Sequence, residues 1–333
     1  MLLIRFGYTS DQHFLCVFCV RERYAVRLRS AIRMKLIELR YLVALAREGS
    51  FSRAAHACSV SQPTLSMAVA RLEDELGVHL FERGKNFVSP TPVGERIVAQ
   101  AQKTLDEAHK ITQLATDGRN PLEGPLRLGV IHTIGPYLLP QLVQSLKSVA
   151  PAMPLLIEEN MTANLSRMLL DNEVDVLIVA LPFDVPGVLT RPLYDERFQV
   201  IVPHGHKWEG RAEIPAEEIA DEEVLLLKAG NCFRDQVLDA CPQVSEPESE
   251  VRLGHSIGTI RCMVASGLGI SVLPEGALLG PYNNDLVTII PFQSPAPSRR
   301  VALAWRPGFV RPQAIDALLD AIRKIDSPAY HFL

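Results

Sequence analysis

The 333-residue sequence predicts two architectures in one chain, an all-helical unit followed by a larger α/β region of two lobes. Three observations predict this. Apolar residues recur at helical spacing through residues 36–76. A long amphipathic stretch, free of Gly and Pro after Gly94, then runs to a breaker at Asp117-Gly118-Arg119-Asn120-Pro121. Beyond Gly124, short apolar runs alternate with helical patterns, the texture of doubly wound folds with mostly parallel sheets. A content of 47 % hydrophobic and 22 % charged residues excludes a disordered or low-complexity chain. No apolar run reaches the ~20 residues of a membrane-spanning helix. A net charge of −4 announces neither a polybasic surface nor an acidic tail, and six cysteines are too few for a disulfide-stapled secreted scaffold. The expectation is a cytoplasmic, multi-domain protein with no membrane partner.

Residues 1–33 stand apart. They carry six Arg against Asp11 and Glu22, and their apolar patch from His13 to Val20 is too short to span a membrane and lacks a cleavage site. Cys16 and Cys19 form a CxxC with no second pair, weak grounds for zinc or redox chemistry. This segment is expected to be a disordered tail or the product of an upstream start. Residues 34–92 follow as a compact unit. Leu36, Ile37, Leu39, Leu42, Val43, Leu45 and Ala46 mark a first helix stopped by Gly49-Ser50. Ser52–Cys58 makes a short second one, with Ala54 and Ala55 small enough for close helix approach. After Ser59-Val60-Ser61 a third helix carries Leu65, Val69, Leu72 and Leu76 on one stripe until Gly77. Val78 to Val88 is a hairpin around Arg83-Gly84-Lys85-Asn86. Thr91 caps and Pro92 opens a linker helix whose seam is Ile97, Ala101, Leu105, Ala108, Thr112 and Ala115, and residues 93–120 therefore form linker and hinge.

From residue 121 to 333 the strand candidates are Leu126–Val130, Leu155–Glu158, Val174–Ala180, Gln199–Val202, Val224–Leu227, Ile270–Leu273, Val287–Ile290 and Val301–Trp305. Helices at Leu138–Val149, Asn164–Leu170 and Thr259–Ala265 lie between them. So many strands are large for one sheet, and two lobes with a ligand cleft are the natural arrangement. Lobe I takes about 121–194 and 301–333, and lobe II about 195–300.

The spacing over 52–76 fits a helix-turn-helix. Ser61 can cap the third helix, which presents Gln62, Thr64 and Ser66 away from the apolar stripe, with Arg71 further along. Short polar side chains at the start of a recognition helix suit base edges, and Arg83 and Lys85 on the hairpin suit phosphates. Charge leaves the matter open, since 34–92 hold seven basic and six acidic residues. The run from Phe51 to Ile97 resembles the winged-helix segment of LysR-type transcriptional regulators. The likeness is carried by Ala54-Ala55, Val60-Ser61-Gln62-Pro63, Leu65-Ser66, Leu72-Glu73, Leu76-Gly77, Leu80-Phe81, Arg83, Thr91 and Gly94. Ser89-Pro90 and Pro92 around the wing exit depart from the family pattern, which has an apolar residue before that Thr, and this bears on wing geometry. The resemblance implies a winged helix-turn-helix, a linker helix and an effector domain of two Rossmann-like lobes, like a periplasmic binding protein. It also implies promoter DNA and RNA polymerase as partners and assembly into dimers or tetramers.

The remaining chemistry sits in GNCFRDQVLDAC, residues 230–241. Gly230-Asn231 signals a turn, which places Cys232 at the start of a helix with Phe233, Val237 and Leu238 on its apolar face. A helix N-terminus and the adjacent Arg234 favour the thiolate there, making Cys232 the better nucleophile. Nine helical residues at ~1.5 Å each separate the Cα atoms of Cys232 and Cys241 by ~13 Å, whereas a disulfide needs ~7 Å or less. The pair bridges only if the helix unwinds. On residues alone, two buried cysteines packing as small hydrophobes is the favoured reading. However, LEDELGVHLFER, GPLRLGVIHTIGPYLLP, GNCFRDQVLDAC, RCMVASGLGISVLP and RRVALAWRPG are similar to stretches of the hydrogen-peroxide sensors within the LysR family. That resemblance implies a peroxidatic Cys232, a resolving Cys241, and a peroxide pocket of Thr133, Thr162, Asn231, Asp235 and one Arg of the 299–300 pair, with Arg299 preferred over Arg300. Asn231 stands where some relatives carry His, a departure that bears on sensitivity and not on mechanism. Cys58 and Cys262 are read as packing residues and His132 as structural; no histidine spacing suggests a metal, and no cofactor is expected. The reading is a stoichiometric sensor and activator of oxidative-stress genes, not an enzyme. Its rival is a LysR-type regulator whose cleft binds a small effector non-covalently.

Overall fold

The computed structural model describes residues 33–84, 87–114, 120–242, 244, 250–279 and 286–333. Residues 1–32, with Cys16 and Cys19, and Lys85-Asn86 lie outside the described residues, as do positions 115–119 of the expected hinge. Two compact units divide between Ala108 and His109.

In the first unit, helices α1 (Leu36–Glu48), α2 (Phe51–Ala57) and α3 (Gln62–Leu76) precede strands β1 (Phe81–Arg83) and β2 (Val88–Pro90). The turn between α2 and α3 is tight. Ser59 takes a positive φ of 56°, and the Val60 N–H donates to the Ala55 carbonyl. Ser61 then caps α3, its Oγ accepting the Thr64 N–H at 3.4 Å and lying 2.8 Å from the Thr64 hydroxyl. Leu65, Val69 and Leu72 turn inward onto Leu42, Leu45, Ala54 and Ala55. Leu76, expected on the same stripe, is 39 % exposed, because the helix ends there at Gly77 and the core has already closed beneath it. Glu73 ties α3 to the wing by accepting the Leu80 N–H at 2.7 Å. Thr91 caps α4 (Pro92–Leu114) through the Gly94 N–H, and a Cβ at Gly94 would come 2.0 Å from the Leu80 carbonyl, so only glycine fits. Ile97, Ala101 and Leu105 of the expected seam pack against the helical core of the same unit. The side chains of Thr112 and Ala115 lie outside the described ones.

The second unit contains β3 (Leu126–Ile131), α5 (Gly135–Val149), β4 (Leu155–Asn160), α6 (Thr162–Leu170), β5 (Val176–Ala180) and β6 (Leu189–Pro203). These are followed by β7 (Val224–Leu227), α7 (Cys232–Ala240), β8 (Leu253–Gly254), α8 (Ile257–Ala265) and β9 (Ile270–Pro274). Then come β10 (Val287–Pro291), β11 (Ser298–Trp305), α9 (Pro312–Arg323) and β12 (His331–Phe332). Strand order is β4-β3-β5-β11-β6-β9-β7-β8, with β10 and β12 also on β6. The 15-residue β6 serves both lobes: residues 189–197 pair with β11, and residues 198–203 with β9 and β10. Two apolar cores result, one holding Tyr194 and the other Phe198.

The expectation of mostly parallel strands needs correction. β3 pairs in parallel with β4 and β5, and β7 with β8 and β9, but β5–β11, β11–β6 and β6–β9 are antiparallel. The reason is connectivity. The chain leaves the first lobe along β6 and returns along β11, and an outgoing and a returning strand side by side run in opposite directions.

Candidate functional site

Two surfaces matter. On the first unit, Ser61, Gln62, Pro63 and Thr64 are all exposed at the start of α3, and Ser66 is half-buried one turn on. Arg83 ends β1 opposite Val88. Arg71 has a charged partner within its own unit. It is 55 % exposed but ion-paired with Glu38, a carboxylate 2 % exposed that also accepts the Lys35 N–H at 3.0 Å. Arg71 therefore compensates a buried charge on α1, and meeting a base would require giving that up. The sequence could not show this, because the partner lies 33 positions away on another helix.

In the second unit the candidate site gathers at the carboxyl ends of parallel strands, where helices begin. β3 leads through Thr133 to α5, β4 leads to Thr162 at the first position of α6, and β7 leads through Gly230-Asn231 to Cys232 at the first position of α7. Gly230 adopts φ 89°, and a Cβ there would lie 3.7 Å from the Met161 sulfur, so the turn before Cys232 adjoins the residue before Thr162. The Thr162 hydroxyl oxygen is buried with no hydrogen-bond partner among the described residues. Asn231 caps α7, its Oδ1 accepting the Phe233 N–H at 3.2 Å. Asp235 is exposed, outside the buried group that the other expected pocket residues form or adjoin.

Helix α7 lies between the two cores. Cys232 is half-buried against the core of the first lobe, whereas Phe233, Val237 and Cys241 belong to that of the second. Gln236 adds a polar tie across the lobes, its Nε2 donating to the Leu181 carbonyl at 3.2 Å. Both cysteines are free thiols, and α7 is intact between them. Cys241 is fully buried, and burial, assisted by the Glu217 charge, pushes its pKa up to about 11. It is a neutral thiol at any physiological pH.

Arg299 and Arg300 part ways because adjacent strand residues face opposite sides. Arg300 is exposed and paired with Asp195. Arg299 is buried against Glu196, and its Nη1 and Nη2 donate at 2.9 Å to the Thr133 hydroxyl and carbonyl oxygens. The Arg299 guanidinium also lies 5.1 Å from the centre of the Phe233 ring, next to Cys232. Glu196 and Gln236 escaped the sequence reading, which placed Phe233 on the apolar face of its helix without its contact to Arg299. Only the strand register, Arg299 opposite Glu196, reveals the first. Cys58 packs against the helical core as expected, while Cys262 is exposed, contrary to its reading as a packing residue, because it falls on the solvent side of α8. His132 accepts or donates a 2.9 Å hydrogen bond with Glu159. Among the described residues no cluster of His, Cys, Asp and Glu could hold a metal, and no helix is long and apolar enough to cross a membrane.

Comparison with known proteins gives a consistent picture. Residues 36–95 match the bacterial regulatory helix-turn-helix of the lysR family, and residues 119–326 the LysR substrate binding domain. The chain is 37 % identical over 290 residues to the DNA-binding transcriptional dual regulator OxyR of Escherichia coli (strain K12), covering 87 % of this chain and 95 % of that one. Among solved structures, a full-length Pseudomonas aeruginosa OxyR with a cysteine-to-aspartate substitution is 50 % identical with a TM-score of 0.64, over 90 % of this chain and 98 % of that one. A hydrogen-peroxide-bound OxyR mutant of Corynebacterium glutamicum is 31 % identical with a TM-score of 0.58, over 88 % and 92 % of the two chains.

Proposed function

This chain belongs to the LysR family of transcriptional regulators, and from that premise we propose that it senses hydrogen peroxide through Cys232 and Cys241 and controls oxidative-stress genes. The observation that carries the reading is the placement of Cys232. It opens α7 between the lobes, beside the strand ends that hold a Thr162 hydroxyl unpartnered among the described residues and an Arg299–Thr133 pair. Buried hydroxyls backed by a cation suit a small neutral oxidant whose leaving oxygen gains negative charge.

The Cys232 thiolate attacks one peroxide oxygen, the O–O bond breaks, hydroxide leaves, and Cys232 becomes a sulfenic acid. Thr133, Thr162 and Asn231 orient the peroxide, and Arg299 stabilises the departing oxygen. Asp235, exposed on the first turn, acts from the pocket's rim. Cys241 then attacks the sulfenic sulfur, the S–O bond breaks, and a disulfide and water result. Because nine helical residues hold the Cα atoms ~13 Å apart, the bridge forms only as α7 unwinds. Unwinding withdraws Phe233 and Val237 from the second core and releases the Gln236–Leu181 tie, so oxidation changes how the lobes are held.

On promoter DNA, Ser61, Gln62, Pro63, Thr64 and Ser66 meet the major groove and Arg83 the backbone, with Arg71 anchoring α3 to α1. The protein acts stoichiometrically, as a cytoplasmic homodimer or homotetramer working with RNA polymerase. Mass mapping under non-reducing conditions, before and after one equivalent of peroxide, tests the reading. A Cys232–Cys241 bridge formed by peroxide supports it. Every thiol remaining free would instead favour a non-covalent small effector.

A further inference from the structure

We propose that Glu196 is a positioning residue of the peroxide site, holding Arg299 so that Thr133 directs its hydroxyl proton at the peroxide. The inference rests on Cys232 being the nucleophile. It starts from register: Glu196 on β6 lies directly opposite Arg299 on β11, the two strands that cross between the lobes. The side chains of the pair are 4 % and 1 % exposed, so their attraction is little screened by water. The Arg299 Nε and Nη2 both lie 2.7 Å from Glu196 Oε2. The other carboxylate oxygen accepts the Gly276 N–H at 2.9 Å. With both oxygens engaged, the carboxylate cannot swing, and the guanidinium is fixed in plane.

The consequence appears at Thr133. Its hydroxyl oxygen accepts from Arg299 Nη1, and its carbonyl accepts from Nη2. A hydroxyl has one proton to give, and an oxygen already accepting from Arg299 must send that proton elsewhere. Thr133 thus becomes a committed donor, with a cation behind it. A proton on the leaving oxygen and a positive charge one bond further back are what O–O cleavage by a thiolate calls for. No bond to Glu196 or Arg299 forms or breaks. Gly276 belongs to the same arrangement, since a Cβ there would come 2.6 Å from Glu196 Oε1 and must displace it.

The test uses the full chain with Cys241→Ser, so that only the first oxidation is observed. Two rates are followed at the Cys232 peptide by mass: oxidation by hydrogen peroxide, and alkylation by iodoacetamide, which needs the thiolate but no leaving-group donor. Glu196→Gln should slow oxidation about tenfold or more while leaving alkylation within about twofold. Gly276→Ala, which keeps the charge and moves the carboxylate, should do the same to a smaller extent, and it carries the test if Glu196→Gln does not fold. In an Arg299→Met background Glu196→Gln should add nothing, because it acts only through Arg299. Peroxide oxidation within twofold of the parent in the folded variants, or a parallel fall in both rates, would overturn the inference. Failure of the parent itself to oxidise at Cys232 would instead overturn the functional reading.

Discussion

Replacing Asp235 by Ala and by Gly measures whether α7 must unwind before the bridge closes. Asp235 is the fourth of nine residues in α7 and is exposed, so both variants delete the same carboxylate and disturb no packing. What differs is helix propensity, worth about 1 kcal/mol in favour of Ala at an exposed interior position. If closure waits on unwinding, and the helix is fully lost when the sulfur atoms meet, that difference makes closure about fivefold faster in the Gly variant. At equilibrium the same free energy destabilises the reduced form alone and moves the couple about 20 mV towards easier oxidation. The assay begins from Cys232 already oxidised by a short peroxide pulse, so any change in the first step drops out. Samples quenched with a sulfenate-specific reagent at timed intervals give the loss of sulfenic acid and the gain of the Cys232–Cys241 peptide. Equal closure in the two variants, or faster closure with Ala, would refute the claim that helix geometry gates the disulfide. Comparing the first step in the Ala variant with the parent then reports whether the carboxylate acts at the rim of the pocket.

Legibility in the sequence followed the range of the interactions. The helix-turn-helix was readable because its determinants are local: the Ser61 cap, the Ala54-Ala55 pair and the Leu65–Val69–Leu72 stripe are each decided within a turn or two. The parallel strands were readable for the same reason, being short apolar runs between helices. Strand direction at the centre of the sheet was not, since it depends on a chain that leaves along β6 and returns along β11 about a hundred residues later. The two cysteines and Thr133, Thr162 and Asn231 were placed by a motif and a resemblance. Their supporting residues stayed hidden, because Glu196 lies 103 positions from Arg299, and nothing at either end announces which of two adjacent Arg faces inward. The Arg71–Glu38 pairing is hidden for the same reason. A polar helix face looks the same in sequence whether its Arg is free for DNA or answers a buried Glu38.

Cys232→Ser should abolish the response to peroxide, whereas Cys241→Ser should still form a sulfenic acid that persists or over-oxidises; trapping at Cys241 in the first variant at the parent rate would mean the roles are reversed. Gln62→Ala should relax base preference at one position per half-site by about 1–3 kcal/mol, as read from binding to a panel of substituted sites. Arg83→Ala should weaken binding to all sequences and flatten the dependence on salt; an unchanged salt slope would remove the wing from the interface. The last expectation concerns pH. Burial raises the Cys241 pKa from 9.0 to about 11 in the folded chain, while the unfolded chain ionises at the lower value. Below pH 9 both states keep the proton and stability is intact. Between pH 9 and 11 only the unfolded chain releases it, so stability falls with rising pH, by up to about 3 kcal/mol. Cys241→Ala lacks this loss, so the stability advantage of the parent over that variant, from urea unfolding under reducing conditions, should shrink as pH rises from 8 to 10.5. If the two proteins lose stability in parallel, the thiol is not held neutral by its surroundings, and its quiescence before oxidation needs another cause.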